Sequence, residues 1–188
     1  PGLVEGHSSG SKDWISNVLE PQLVKYFVGD GKGGEKVTNI RQVACGFAYT
    51  ACVTENNKMY TFGAGEYGTL GTGTTIDQWI PVKVNVGETK LLEIPVQTVV
   101  AGSVHTLALT VDGRVFSCGK KEYTGHGHIS DVLVFTRLNA FDGRCIEQVS
   151  IGPGGYHTLA LTVQQNCCVH GDYEKKYDED CSNHRHIY

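Results

Sequence analysis

One short pattern, a glycine followed by a compact apolar strand, occurs three times at nearly constant spacing and constrains this chain more than any other feature. The copies are Gly46-Phe47-Ala48-Tyr49-Thr50-Ala51-Cys52-Val53-Thr54, Gly102-Ser103-Val104-His105-Thr106-Leu107-Ala108-Leu109-Thr110 and Gly154-Gly155-Tyr156-His157-Thr158-Leu159-Ala160-Leu161-Thr162. A second glycine follows Tyr49, His105 and His157 at one fixed offset, at Gly63, Gly119 and Gly171. It is preceded each time by a short strand-like run, Tyr60-Thr61-Phe62, Phe116-Ser117-Cys118 or Cys168-Val169-His170. Between the two runs lie polar connections, Thr54 to Lys58, Thr110 to Arg114 and Thr162 to Asn166. Asn, Asp and Gly there tolerate left-handed backbone, so each pair of runs is predicted to be a β-hairpin.

A further strand precedes each glycine, at Ile40 to Cys45, Val96 to Ala101 and Ile146 to Ile151. A weaker one carries a proline or its substitute, at Pro21 to Val24, Pro81 to Val84 and Phe135 to Leu138. Proline suits a sheet edge, where no ladder hydrogen bond is lost. The glycines recur at intervals of 56 and 52 residues. Four short antiparallel strands in that length make a β-propeller blade, and solenoid repeats of about twenty to forty residues do not fit. The apolar runs Thr106 to Leu109 and Thr158 to Leu161 are expected to be inner strands, crowded around a central channel. Glycine, at 24 of 188 residues, is roughly twice its usual share, which favours turn-rich β structure over long helices. The fold class is therefore all-β, about three blades of four antiparallel strands. Residues 1–36 are expected to end a preceding blade with long loops. Residues 37–95 and 96–145 are one blade each, and 146–188 a partial blade with a charged C-terminal segment.

The Gly-x-x-His-Thr-Leu-Ala-Leu-Thr segment, the Phe62-Gly63-Ala64-Gly65 hairpin end and the turn Gly68-Thr69-Leu70-Gly71-Thr72-Gly73 resemble the regulator of chromosome condensation repeat. The resemblance covers roughly residues 37 to 171 and is strongest from Gly63 to Gly73. The second unit keeps Glu122-Tyr123 but has His126 for the leucine of the turn. The third keeps only Glu174 before the charged run to Asp180. The resemblance implies a ring of about seven blades. On that reading the chain is a fragment, or neighbouring chains complete it.

The same resemblance implies a choice of trades: guanine-nucleotide exchange on Ran-type GTPases, substrate binding in large ubiquitin ligases, ciliary or trafficking adaptors, and a plant ultraviolet photoreceptor. The photoreceptor looks to tryptophans in a Gly-Trp-x-His-Thr slot that holds Phe47, Ser103 and Gly155 here, which disfavours it. The expected function is a protein-interaction propeller gripping a folded partner, with exchange on a Ran-like small GTPase as the leading specific case. The alternative is a structural subunit or adaptor within a large assembly. No intrinsic active site is expected, since no convergent set of titratable residues stands out.

Partner specificity should lie in loops, because scaffold strands are committed to packing. Trp79, in the variable loop after Gly73, and Lys120, Lys121, Tyr123, His126 and His128 are the candidate partner-binding residues. Gly46, Gly63, Gly102, His105, Gly119, His157 and Gly171 are read as structural repeat positions. His105 and His157 share the slot of Tyr49, which argues against catalytic bases; such a ring can pack while bonding backbone of the next strand.

The run Gly63-Ala64-Gly65-Glu66-Tyr67-Gly68 has the spacing of a dinucleotide fingerprint, but no helix start follows to face a pyrophosphate, so no cofactor is expected. Cys167-x-x-His170 and Cys181-x-x-His184, with His186 to spare, have the residue types of a zinc site. The repeat already accounts for the first pair as strand, so no metal is assigned. The net charge of −4, with scattered basic residues, gives no footprint for direct nucleic-acid binding. The chain has no run of about eighteen apolar residues, so no membrane insertion is expected. Cys45, Cys52 and Cys118 read as reduced core thiols of an intracellular protein, nuclear or cytoplasmic.

Overall fold

The computed structural model describes residue 24 and residues 39–87, 94–127, 130–152, 155–163 and 185–187. Two four-stranded antiparallel sheets follow each other along the chain. The first is β1 (Ile40–Cys45), β2 (Tyr49–Thr54), β3 (Met59–Gly63) and β4 (Gln78–Val84), and the second β5 (Val96–Ala101), β6 (His105–Thr110), β7 (Val115–Gly119) and β8 (Val132–Arg137), each in sequential order. The third contains β9 (Cys145–Ile151), β10 (Thr158–Val163) and β11 (Arg185–Ile187), in the order β11-β10-β9. The first two sheets carry the same four strands in the same register, as a propeller requires.

The hairpins form where a residue can turn left-handed. Asn57 at φ 59° and Gly113 at φ 80° occupy the same turn position, and in each the threonine hydroxyl opening the turn accepts the amide of its last residue, Lys58 or Arg114. The third unit has Gln165 at that position, a residue that resists positive φ. In the third sheet β10 is the middle strand. Its partner opposite β9 is β11, through Leu161 with Ile187 and Val163 with Arg185. The expected run Cys168 to His170 and Gly171 lie outside the described residues, as do Pro21 to Leu23.

Alternate residues of each central strand face opposite neighbours, and this builds the core. Ala51 and Val53 of β2 pack with Val96, Val99 and Ala108 of the second sheet. Leu107 and Leu109 of β6 then pack with Ile146, Val149 and Ala160 of the third. Each fully buried leucine of this kind contributes about 1.5–3 kcal/mol. All of β6 is buried because β5 and β7 flank it and a sheet covers each face. That corrects its expected place at a central channel: β6 and β10 lie inside their sheets, and the edge strands are β1, β4, β5 and β8, with β9 and β11 in the third. Pro81 sits in the edge strand β4, where its missing N–H costs no ladder bond.

Candidate functional site

The slot residues join the blades. Tyr49 reaches across to the second sheet, where its hydroxyl donates to the His105 carbonyl at 2.7 Å and accepts from the Thr106 hydroxyl at 2.8 Å. One repeat later, His105 Nε2 lies 3.0 Å from the Thr158 hydroxyl of the third sheet. Each ring therefore bonds the threonine that follows the next slot residue. The expected partner, backbone of the next strand, holds for Tyr49, whereas His105 uses a side chain. His105 Nδ1 is buried without a partner, so the N–H belongs on Nε2, donating to Thr158. Desolvation, and then the nearby His157, push the His105 imidazole down to about 4, which keeps it neutral. Tyr49, His105 and His157 go from buried to buried to exposed, because no described sheet lies beyond the third.

The glycine preceding each of the first two slots is there because the ring folds back over it. A Cβ on Gly46 would lie 2.1 Å from the Tyr49 ring, and one on Gly102 2.7 Å from that of His105. At the other hairpin end, Gly63 (φ +110°) and Gly119 (φ +120°) pass 2.6 and 2.4 Å, measured from an added Cβ, from the carbonyls of Ala48 and Val104. Gln42 adds a second seam, its amide bonding both the N–H and the C=O of Val99 at 2.9 Å.

One edge of the stacked sheets gathers the loops 46–49, 64–68, 102–105, 120–127 and 155–157. The Ala64 and Lys120 amides tie the loops together by donating to the Ala48 and Val104 carbonyls, each at 2.9 Å. Lys120 places its ammonium 5.0 Å from the centre of the Tyr67 ring in the neighbouring blade. Tyr67 holds φ 60°, an uncommon backbone state for a bulky residue, and Glu66 raises its hydroxyl pKa. Tyr123 stacks on His105 at 6.0 Å and on Tyr156 at 5.1 Å, and Tyr156 in turn meets the Ser103 hydroxyl at 3.4 Å. Phe47, 84% exposed, stands in the same loop set. An aromatic ribbon with one cation thus crosses three blades on side chains not used by the sheets.

Of the candidate binding residues, the structure brings together Lys120, Lys121, Tyr123 and His126, all in the loop after β7. Ser117 donates to the Thr124 carbonyl at 2.7 Å, so its oxygen accepts from His126 Nε2 at 2.9 Å, and His126 holds the loop's shape. His128 lies outside the described residues. Trp79 belongs to β4 on the rim and not to a loop, a correction that follows from strand pairing beginning at Gln78. Phe47, Tyr67 and Tyr156 were not among the candidates, although Glu66-Tyr67 repeats as Glu122-Tyr123. Asp77 and Asp131 were missed as well: each accepts the amide two residues beyond the hairpin glycine, Gly65 at 2.9 Å and Lys121 at 3.0 Å.

In the fingerprint-like run the Asp77 carboxylate takes an amide that a bound phosphate would need. The Gly65 amide already faces a carboxylate, and only a 3-10 turn, Glu66–Gly68, follows. Among the described residues no group of three His, Cys, Asp or Glu side chains could hold a metal, and the proposed zinc residues' side chains fall outside that set. No helix among them is long and apolar enough to cross a membrane. Cys52 and Cys118 are buried free thiols, while Cys45 is free but exposed, since it ends an edge strand. Cys145 is disulfide-bonded, which the reading of reduced thiols had not included.

Comparison with known proteins agrees with this architecture. The regulator of chromosome condensation (RCC1) repeat matches residues 56–109, and a second form of it residues 40–69 and 96–123. The ultraviolet-B receptor UVR8 of Arabidopsis thaliana is 34% identical over 77% of this chain, and the human E3 ubiquitin-protein ligase HERC2 36% identical over 68%. The chain spans 30% of the former and 3% of the latter. Among solved structures, human WBSCR16 has a TM-score of 0.57 at 25% identity, covering 67% of this chain and 31% of that one. Prp20p from Saccharomyces cerevisiae, described with binding properties to Gsp1p and histones, has 0.53 at 24%, covering 63% and 30%. Repeat matches and repeated sheets together place this chain in the regulator of chromosome condensation repeat family, as consecutive blades of its β-propeller.

Proposed function

We propose that the loop edge carrying Phe47, Tyr67, Lys120, Tyr123 and Tyr156 grips a folded protein partner, and that a Ran-like small GTPase undergoing nucleotide exchange is the leading specific case. The observation that carries this reading is the aromatic ribbon. Large, stiff aromatic side chains beside a cation are the residue types that anchor protein interfaces, and Tyr67, Tyr123 and Tyr156 are held in place by contacts between blades. Prp20p, alike in fold, is described with binding to Gsp1p, which makes such a GTPase the first partner to try. Residues outside this chain would complete the ring and share in the contact.

The test is release of a fluorescent guanine nucleotide from a Ran-like GTPase. Acceleration by the chain, reduced at least tenfold in Tyr67→Ala and Lys120→Ala, supports exchange. No acceleration, with stoichiometric co-purification in a larger assembly that these substitutions weaken, supports the adaptor alternative. Binding that neither substitution changes removes the ribbon as the contact.

A further inference from the structure

The charges on the loop edge do not balance once its internal contacts are taken out. Lys120 is half-buried and lays its ammonium over the Tyr67 ring at 5.0 Å, and Lys121, also half-buried, already has a partner. Asp77 and Asp131 are taken by the Gly65 and Lys121 amides. Two carboxylates are left over. Glu66 is exposed beside the Tyr67 hydroxyl, and Glu122 is exposed with no hydrogen bond or ion pair among the described residues.

These two glutamates stand at one repeat position. Tyr49 pairs with Gly63 as His105 pairs with Gly119, and each glutamate lies at the same offset beyond its hairpin glycine, followed directly by a tyrosine. The edge thus carries one outward carboxylate in each of the first two blades. Beside Glu122, the Tyr123 ring meets Tyr156 at 5.1 Å, tilted by 48°. Tyr156 is 55% exposed, so ring surface stays open to a ligand.

We infer that this edge receives an arginine-bearing segment of the partner, with Glu66 and Glu122 pairing its guanidinium groups and Tyr156 stacking on one of them. The inference rests on the reading of the ribbon as the contact edge and names the chemistry that edge takes. Carboxylates next to an open aromatic face suit a guanidinium, whose planar fork pairs with the one and whose plane stacks on the other. An ammonium carries the same charge without the plane, so lysine is held less well. An acidic segment would meet two uncompensated carboxylates.

The test is fluorescence anisotropy of the full chain with three labelled peptides of equal length, built from Gly-Arg, Gly-Lys and Gly-Glu repeats. The arginine peptide should bind about threefold more tightly than the lysine peptide, and the acidic peptide should not bind. In the double variant Glu66→Gln, Glu122→Gln the arginine peptide should lose about fivefold in affinity. The double variant Glu55→Gln, Glu147→Gln, which removes the same charge from the β2–β3 turn and from β9, should stay within about twofold of the native chain. Unchanged affinity in the first variant, equal losses in the two variants, equally tight lysine binding, or no arginine binding would each overturn the inference. None of these results touches the ribbon itself, which stands or falls with Tyr67→Ala in the release and co-purification assays.

Discussion

Protonating His105 perturbs one seam between blades without changing a residue. Its imidazole is fully buried, with Nε2 on Thr158 and Nδ1 facing no acceptor, so a second ring proton would enter a place with no partner. Its folded pKa of about 4 lies below the ordinary imidazole value of 6.5. The unfolded chain therefore binds more protons at this site between those limits. Stability then falls as pH drops from 6.5 toward 4 and, at this residue, levels off below that. A gap of that size corresponds to about 3 kcal/mol. The assay is urea unfolding followed by circular dichroism at pH 7.5, 6, 5 and 4.5, on the native chain and on His105→Gln. The glutamine amide can donate to Thr158 but does not titrate. Subtracting one curve from the other removes groups common to both, and the difference should shrink by about 2.5 kcal/mol by the lowest pH. Parallel curves would refute the reasoning, since they would mean that the ring gains its proton as easily folded as unfolded.

Gly119→Ala should lower stability by roughly 3 kcal/mol or more, because the residue holds φ +120° and the new methyl meets the Val104 carbonyl. Gly143→Ala, at φ +76° in open space, should lose only about 1 kcal/mol in the same urea assay. Tyr49→Phe should lower stability by about 1–2 kcal/mol, by leaving the buried His105 carbonyl without its donor while Thr106 keeps the Thr69 carbonyl. At pH 8 an aromatic disulfide reagent should label Cys45 readily. Cys52, whose thiol burial pushes up to about 11, and Cys118, pushed up further, should react only as the protein unfolds; prompt labelling of either would contradict their burial.

Strand positions were legible because strand propensity, glycine punctuation and the spacing of Tyr49, His105 and His157 agree with one another. Two features were not legible, each for a physical reason. The polar run after Thr162 does not announce which later segment, here Arg185–Ile187, takes the place beside β10. Burial of Thr106 to Leu109 marks a strand covered on both faces, and the same apolar run would serve an inner or a middle strand. The proposed contact edge was half legible: the loop at Lys120 to His126 is visibly polar. Tyr67 stands out through its backbone conformation and its contact with Lys120 of the next blade, and residue type conveys neither. Trp79 looked like a loop anchor because the edge strand starts three residues before its proline.

The central claim is that each slot ring bonds the threonine of the next blade. A double-mutant cycle on Tyr49→Phe and Thr106→Val by urea unfolding tests it most directly, with Tyr49→Phe and Thr158→Val as the control pair. The account predicts a coupling of about 1 kcal/mol for the first pair and none for the second. Additive losses in both pairs would contradict it.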